Sequence, residues 1–438
     1  MRAVTPVRWL VLPFVPFLPF LPFLLSMLAC GSDTTAPPGG DQPFNPASCS
    51  AIDLGPRPAA LSAATTPGKL TVLGNGAETA RFTAEIAVRG ATAYTTTWSF
   101  RGSNPGNKIN VWDVSGTAPT LIDSVIVSNA TTLGDVAVSD DGSLLVVATE
   151  FSGGSIVVFD LADPRHPRLV SRFNNADTNP GVHTAEIGRV DGKLYAFLSV
   201  DPVNANPRLV IVDLSTPSAP REVFTKQVGS PFVHDTFVRD GLLFLALWDD
   251  GMQIWDLGGC GGGSGASPEN PRVIGGVKTV GGQVHNVWWY HDANGGKRFA
   301  FVGQEGPGAV GSSSSGDIHV VDITDPSQPK EVAFYHVDGA GTHNFSVDEA
   351  HGVLYAAYYN AGVRAIDVRG DLAACPANAQ VGTGGGLVRC DLRLMGRELA
   401  VGLLDVGKPV YVWGVQHLGG NVYASDMLNG IWKLGAAK

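Results

Sequence analysis

Residues 233–257 read VHDTFVRDGLLFLALWDDGMQIWDL and hold three short β-type segments in succession. The first begins at His234, the second is an almost continuous apolar run after an Asp-Gly step, and the third ends in Trp-Asp. Asp-Gly steps fit tight hairpin turns, and short apolar runs bounded by turn residues are typical of strands buried on both faces. The stretch therefore predicts three consecutive antiparallel strands.

The third segment recurs along the chain, for example as KINVWDVSGTAP, RLVIVDLSTPSAP and DIHVVDITDPSQP. The closing aspartates of the copies are Asp113, Asp160, Asp213, Asp256, Asp322 and Asp367, and Lys433 takes this place in a seventh copy, GIWKL. A further β-type run after the proline turn gives four strands per unit. Seven units of roughly 45 residues predict an all-β fold, a β-propeller of seven four-stranded blades. Two packed β-sandwiches are the alternative, which the regular period disfavours.

The composition agrees with many short strands and excludes some partners. Only 16% of residues are charged, while the chain has 55 glycines and 29 prolines. The formal net charge is −10 and no basic cluster occurs, so a nucleic-acid partner is not expected.

The N-terminal residues predict export rather than a folded element. Arg2 and Arg8 precede the apolar run FVPFLPFLPFLLSMLAC, whose regularly spaced prolines make a membrane-spanning helix unfavourable. We interpret residues 1–29 as a signal peptide, residues 30–80 as a flexible tether and N-terminal segment, and residues 81–436 as the propeller.

The end of the signal, SMLAC, resembles the lipoprotein box of bacteria, in which the cysteine is cut and lipidated. The resemblance implies that Cys30 is acylated and that the protein faces an oxidising compartment of the bacterial cell envelope, at the outer membrane or cell surface. The only membrane contact expected is through this lipid. Leu28 departs from the small residue usual at its position, and an ordinary cleaved signal is the alternative.

Four further cysteines, an even number in an exported chain, predict disulfides, although four cysteines allow three connectivities. Cys375 and Cys390 bracket one glycine-rich loop, so a bridge between them would close that loop. Cys49 and Cys260 then pair by elimination. No CxxC spacing suggests a zinc site.

RLVIVDLSTPSAP and VVDITDPSQP are close matches to the repeat of the LVIVD-repeat proteins, and the chain resembles this family of bacterial and archaeal surface proteins over roughly 350 residues. The copies AIDVRG and IWKL match weakly. The resemblance implies export and a propeller, and it implies no defined reaction.

Up-and-down strand order divides the chemistry between the two rims of a propeller. The repeated aspartates fall on one rim, where they are expected to accept backbone N–H bonds in turns. The starts of the innermost strands and the ends of the second strands share the other rim. Five histidines are expected there, namely His183, His234, His285, His343 and His417, together with five acidic residues, namely Glu150, Asp201, Asp249, Glu305 and Asp426.

A ring of imidazoles and carboxylates suits a divalent transition metal such as zinc, copper or iron. The alternative is structural, since WD repeats place a histidine near the same strand, where it bonds to a turn aspartate. The first two blades have Glu85 and Asp135 near that position, so the ring is asymmetric. The sequence favours a surface lipoprotein whose rim binds a protein, glycan or small ligand, and the alternative is a metal-binding protein or metalloenzyme that uses the histidine ring. No complete catalytic constellation can be named, so an enzymatic activity is left undecided.

Overall fold

The computed structural model describes residue 49 and residues 52–59, 66–201, 206–260, 264–307, 314–383 and 385–437. Its described residues form seven sheets, each with four strands in an antiparallel core, plus one short ribbon, Phe100–Arg101 with Asn104–Pro105. The fold is the predicted seven-bladed, all-β propeller. Among the described residues, no helix is long and apolar enough to cross a membrane. The expected signal peptide and Cys30 lie outside the described residues.

The blades are numbered here from the first complete one along the chain, and their strands are given from the channel outward. Blade 1 consists of Phe82–Arg89, Thr92–Trp98, Lys108–Asp113 and Thr120–Ile126. Blade 2 consists of Leu133–Val138, Leu144–Thr149, Ser155–Asp160 and Arg168–Phe173. Blade 3 consists of Thr184–Val190, Lys193–Val200, Arg208–Asp213 and Arg221–Gln227. Blade 4 consists of Asp235–Arg239, Leu242–Ala246, Met252–Asp256 and Arg272–Val277.

The last three blades follow the same order. Blade 5 consists of Val284–Trp289, Phe299–Gln304, Ile318–Asp322 and Lys330–Tyr335. Blade 6 consists of Phe345–Asp348, Val353–Ala357, Val363–Asp367 and Glu398–Gly402. Blade 7 consists of Val412–Leu418, Asn421–Asp426, Gly430–Gly435 and, on the outside, Val72–Ala77.

Blade 4 shows why the strands are almost continuously apolar. Asp240 and Gly241 form its first hairpin turn with φ of +49° and +72°, the left-handed pair that a type I′ turn requires. Leu243 and Trp255 pack toward blade 3, while Phe244 and neighbouring side chains pack toward blade 5. Both faces of the sheet are therefore buried against other blades, so successive side chains are apolar in both directions.

The ring of blades is closed by a strand from the N-terminal segment. Val72–Ala77 pairs antiparallel with Gly430–Gly435 as the outermost strand of blade 7. The propeller thus includes residues before 81, and the expected boundary was late because this strand lacks the repeat's apolar pattern. Lys433, which replaces the repeated aspartate, donates to the carbonyls of Val114 and Gly116 in blade 1, both at 2.8 Å.

Insertions cover two outer edges. Val388–Asp391 and Gln380–Gly382 extend blade 5 beyond its fourth strand, and Gly68–Lys69 extends blade 6. The insertion between the third and fourth strands of blade 6 carries the Cys375–Cys390 disulfide. The Cys49–Cys260 disulfide attaches the N-terminal segment to the loop after Asp256. Both expected cysteine pairs are therefore present.

Candidate functional site

One residue at or near the start of each innermost strand lines a small cavity at one mouth of the central channel. In blade order these residues are Ala84, Gly134, His183, His234, His285, His343 and Trp413. The cavity has a volume of about 30 Å³, which is room for one water molecule or one ion. Blades 3 to 6 thus bring four histidines to the same point, as the repeat predicted.

The four imidazoles are in direct contact. Ring centroids lie 4.4 Å apart for His183 and His234, 4.1 Å for His234 and His285, and 4.1 Å for His285 and His343. The series ends on Trp413 of blade 7, 4.5 Å from the His343 ring. The histidines therefore form an arc around one side of the channel mouth, and the aromatic ring of Trp413 continues it.

Three of the expected acidic residues face this arc from the ends of the second strands. Glu150 Oε1 lies 3.2 Å from His183 Nδ1. Glu305 Oε2 lies 4.0 Å from both His234 Nε2 and His285 Nε2. Asp201 places a carboxylate oxygen within 4.8 Å of ligand atoms of His183 and His234, and the His234, His285 and Glu305 atoms meet the same criterion. Two overlapping sets of three ligand atoms result, sharing His234.

Several of the buried ring nitrogens are without hydrogen-bond partners among the described residues. They are both ring nitrogens of His285 and the Nδ1 atom of His234, whereas Nδ1 of His343 lies 3.5 Å from Glu85 Oε1. His285 is 2% exposed, so water cannot easily replace the missing partner. A buried polar atom without a partner costs free energy, and such groups are rare unless an ion, water or ligand satisfies them. No hydrogen bond joins these three side chains to a turn aspartate in the described chain.

Electrostatics separates His183 from the other three histidines. Burial, reinforced by neighbouring imidazoles, lowers the pKa of His234, His285 and His343 well below the ordinary value. Burial also opposes protonation of His183, but Asp201, Glu150 and Glu305 outweigh it and raise the pKa of His183 well above that value. At neutral pH, three imidazoles are thus neutral, which is the form that binds metal ions.

Carboxyl groups crowd the channel beneath the histidines. Burial raises the pKa of Glu85 to about 8 and that of Asp235 to about 8, and the nearby Asp135 adds to both shifts. Burial likewise raises the pKa of Asp201 to about 6 and raises that of Glu305. His183 lowers the pKa of Asp235, Asp201 and Glu305, but the effect of burial is larger. A bound cation would stabilise the ionised carboxylates.

Three expected site residues do not face the histidine arc. His417 is near the end of Val412–Leu418, at the opposite end of the strand, where it stacks on Tyr355 at 5.4 Å and lies 3.5 Å from Asp348. The glycine turn that begins one residue after His417 joins the first two strands of blade 7, so this histidine lies near the end of its strand rather than before it. Trp413 takes the expected position.

Asp249 and Asp426 follow or end second strands, as predicted, but their side chains do not line the cavity. Asp249 is exposed, because Trp248, with φ of +52°, takes the place beside the channel. Asp426 is fully buried and accepts hydrogen bonds from the backbone N–H groups of Tyr411 and Leu428 and from the Trp432 indole. Its side chain therefore holds a turn of blade 7 in place.

Aromatic side chains at the mouth were not predicted as site residues. Trp98, Phe151 and Trp248 lie at the ends of the second strands of blades 1, 2 and 4, and Phe232 precedes the first strand of blade 4. They surround a second cavity of about 340 Å³, which shares His183 and His234 with the small one. The sequence could have identified Trp98, Phe151 and Trp248 by their position at the end of a second strand. The acidic site residues were predicted from that same position.

Fold and site together define a seven-bladed β-propeller with an imidazole–carboxylate cluster at one channel mouth. A family model described as LVIVD repeat matches residues 203–227 and 313–337. These matches cover the two outer strands of blades 3 and 5, so the chain carries LVIVD repeats. The histidine cluster lies outside the matched residues, and the repeat itself therefore assigns it no role.

The β-propeller domain of Cps50 (Swd1) from Myceliophteria thermophila is similar in structure. The match has a TM-score of 0.54 at 11% sequence identity and covers 84% of this chain and 100% of that chain. At this identity the likeness concerns the fold alone. Comparison with curated proteins finds no significant match.

Proposed function

We propose that the protein is a metal-binding propeller whose channel mouth holds one divalent transition-metal ion. His234, His285 and Glu305 would supply the ligand atoms, with His183 and His343 on either side. The observation that carries the proposal is the set of buried ring nitrogens on His234 and His285 that lack hydrogen-bond partners among the described residues, beside a cavity of about 30 Å³ that both side chains line.

The chemistry of these side chains supports a transition metal over calcium or magnesium. Imidazole nitrogens suit zinc, copper and iron, whereas calcium and magnesium prefer oxygen ligands alone. Two histidines and one carboxylate on one side of an ion leave further coordination positions open, as catalytic sites require. Glu305 is itself oriented by a hydrogen bond from the Tyr359 hydroxyl, the kind of outer contact that fixes a metal ligand.

Metal analysis of the purified protein tests the proposal. After loading with Zn²⁺, Cu²⁺ or Fe²⁺ and removal of free ion, we expect about one metal per chain with at least one of these ions. His285→Ala should lose the metal. His417→Ala is the matched control, because this histidine lies at the opposite end of its strand, and it should retain the metal. Absence of bound metal in the wild type, or equal retention by both variants, would overturn the proposal.

We also propose that the protein is anchored to the bacterial cell envelope through an acylated Cys30. The lipobox-like SMLAC supports the anchor, and two disulfides are typical of proteins in oxidising compartments. Mass spectrometry of the N-terminal peptide should find a lipid on Cys30, and an unmodified peptide would contradict the anchor. Binding of a protein or glycan at the rim stays a prediction that no described contact favours.

A further inference from the structure

The cavity of about 340 Å³ at the channel mouth adjoins the proposed metal site. Its floor contains His183, His234 and Glu305, and its sides contain four aromatic residues, namely Trp98, Phe151, Phe232 and Trp248. A volume of this size falls within the range of small-molecule pockets. The pocket opens outward and reaches the proposed ligands, so a molecule bound there would contact the metal.

The aromatic walls are held in place by contacts within the protein. Trp248 stacks on His234 with ring centroids 5.3 Å apart and meets Phe232 edge to face at 5.4 Å. The Trp98 indole N–H donates to Glu150 at 3.1 Å. Rigid aromatic walls lose little conformational entropy on binding, so they favour a flat apolar ligand.

Phe151 is the wall residue that packing within the chain does not explain. Its side chain is 50% exposed, and its backbone has φ of +64°. Left-handed backbone is unfavourable for residues other than glycine, and such residues concentrate at ligand-binding and active sites. The backbone N of Phe151 packs so close to Gly181 that a Cβ on that glycine would lie 2.6 Å from it. Trp248 has the same backbone feature on the other side of the pocket, with φ of +52°.

The charges on the floor select the polar group of the ligand. Glu150, Asp201 and Glu305 would repel an anion such as an aryl carboxylate. The proposed metal ion would repel a cationic group. A neutral group with an oxygen donor is repelled neither by the carboxylates nor by the metal ion, so it can approach the open positions on the metal.

We propose that this pocket binds an uncharged aromatic molecule of one or two rings whose hydroxyl oxygen points toward the metal ion. The inference rests on the proposed metal site for the hydroxyl contact and on the aromatic walls for the ring contact. The two contacts can fail separately, and the experiment is designed to distinguish them.

Calorimetric titration with three naphthalene probes of one shape tests the ligand class. The probes are 2-naphthol, 2-naphthoate and 2-naphthylmethylammonium, which are neutral, anionic and cationic at neutral pH. With metal-loaded protein, 2-naphthol should bind about tenfold or more tightly than either charged probe, given the charges on the floor. Equal or tighter binding of a charged probe would overturn the assigned class.

Phe151→Ala tests the walls, and because Phe151 is half-exposed the variant should fold normally. It should bind 2-naphthol about tenfold more weakly while retaining the metal. Phe100→Ala is the matched control, since Phe100 is 53% exposed and lines neither cavity, and it should bind like the wild type. Unchanged affinity in Phe151→Ala would overturn the pocket.

Metal-stripped protein separates this proposal from the metal site. If the protein binds metal, stripping should weaken 2-naphthol binding about tenfold, because the hydroxyl contact is lost. Unchanged affinity would overturn the hydroxyl–metal contact while leaving the metal site intact. If the wild type holds no metal, the proposed function fails, and Phe151-dependent binding of 2-naphthol would then support the aromatic pocket alone.

Discussion

The repeated polar residues on the two rims of the propeller differ in hydrogen bonding, although Oδ2 of the buried Asp256 also lacks a partner among the described residues. On one rim, the six repeated aspartates each accept a hydrogen bond from the backbone N–H two residues later, at 2.7–3.0 Å. On the other rim, buried ring nitrogens of His234 and His285 have no hydrogen-bond partner among the described residues. Repetition alone therefore does not distinguish a structural residue from a binding residue. The hydrogen-bonding state of the side chain does, because an unsatisfied buried group has a cost that a ligand can remove.

The largest expected effect on the free energy of unfolding concerns the rim that carries the six repeated aspartates. Asp367 and Arg397 are both fully buried, and Asp367 also accepts bonds from Arg369. Asp367→Ala should lower the free energy of unfolding by about 3 kcal/mol, because it leaves a buried arginine without its counter-charge. Metal content should stay unchanged.

Asp160→Ala is the control for this rim, because Asp160 occupies the same turn position but lies at a partly exposed site. It should lose about 1 kcal/mol, the contribution of one hydrogen bond. Chemical denaturation measures both values. If Asp367→Ala lowers the free energy of unfolding no more than Asp160→Ala does, then burial of the aspartate does not determine how much these turns contribute to stability.

On the rim that carries the histidines, we expect a gain in the free energy of unfolding that depends on bound metal. Zn²⁺ at 100 times its dissociation constant should raise the free energy of unfolding of the wild type by about 2.7 kcal/mol, since only the folded state presents the site. His285→Ala should show no such gain, whereas His417→Ala should keep it. Denaturation with and without Zn²⁺ measures the difference. An equal gain in both variants would place the metal elsewhere.

The smallest expected effect concerns the carboxyl groups deeper in the channel. Burial raises the pKa of Glu186 well above its ordinary value, and Asp135 and Asp235 raise it further. Because the folded state then holds the proton more tightly than the unfolded state, this group's contribution to stability is full below pH 4.5 and declines as the pH rises. In the metal-free protein, Glu186→Gln should therefore gain stability relative to the wild type between pH 5 and pH 8.

Thermal denaturation at pH 5 and pH 8 in the presence of a chelator measures this gain. Glu222→Gln, in the outermost strand of blade 3, provides the comparison for loss of one carboxylate outside the channel. The difference in thermal midpoint between Glu186→Gln and the wild type should be larger at pH 8 than at pH 5. The same difference at both pH values would mean that ionisation of Glu186 does not destabilise the folded state.

Much of the site could be predicted because each blade repeats the same local sequence. His183, His234, His285 and His343 all precede a polar residue and a β-type run, and the structure brings all four together. His417 was wrong because one local feature, a glycine turn, can precede or follow a first strand, and only strand pairing shows which. Asp249 follows a second strand as predicted but does not face the channel, because a one-residue difference at the turn places Trp248 there instead.

The amino-acid sequence by itself determined the class of fold, the number of blades and the rim on which four of the five histidines lie. These follow from local periodicity and turn chemistry, which repeat every blade and are visible in one dimension. Only the tertiary structure decided that Val72–Ala77 closes the ring, that Trp413 rather than His417 completes the channel mouth, and that Phe151 and Trp248 form a pocket. Those features depend on distances between residues far apart in the chain, and no local pattern specifies how closely seven blades converge.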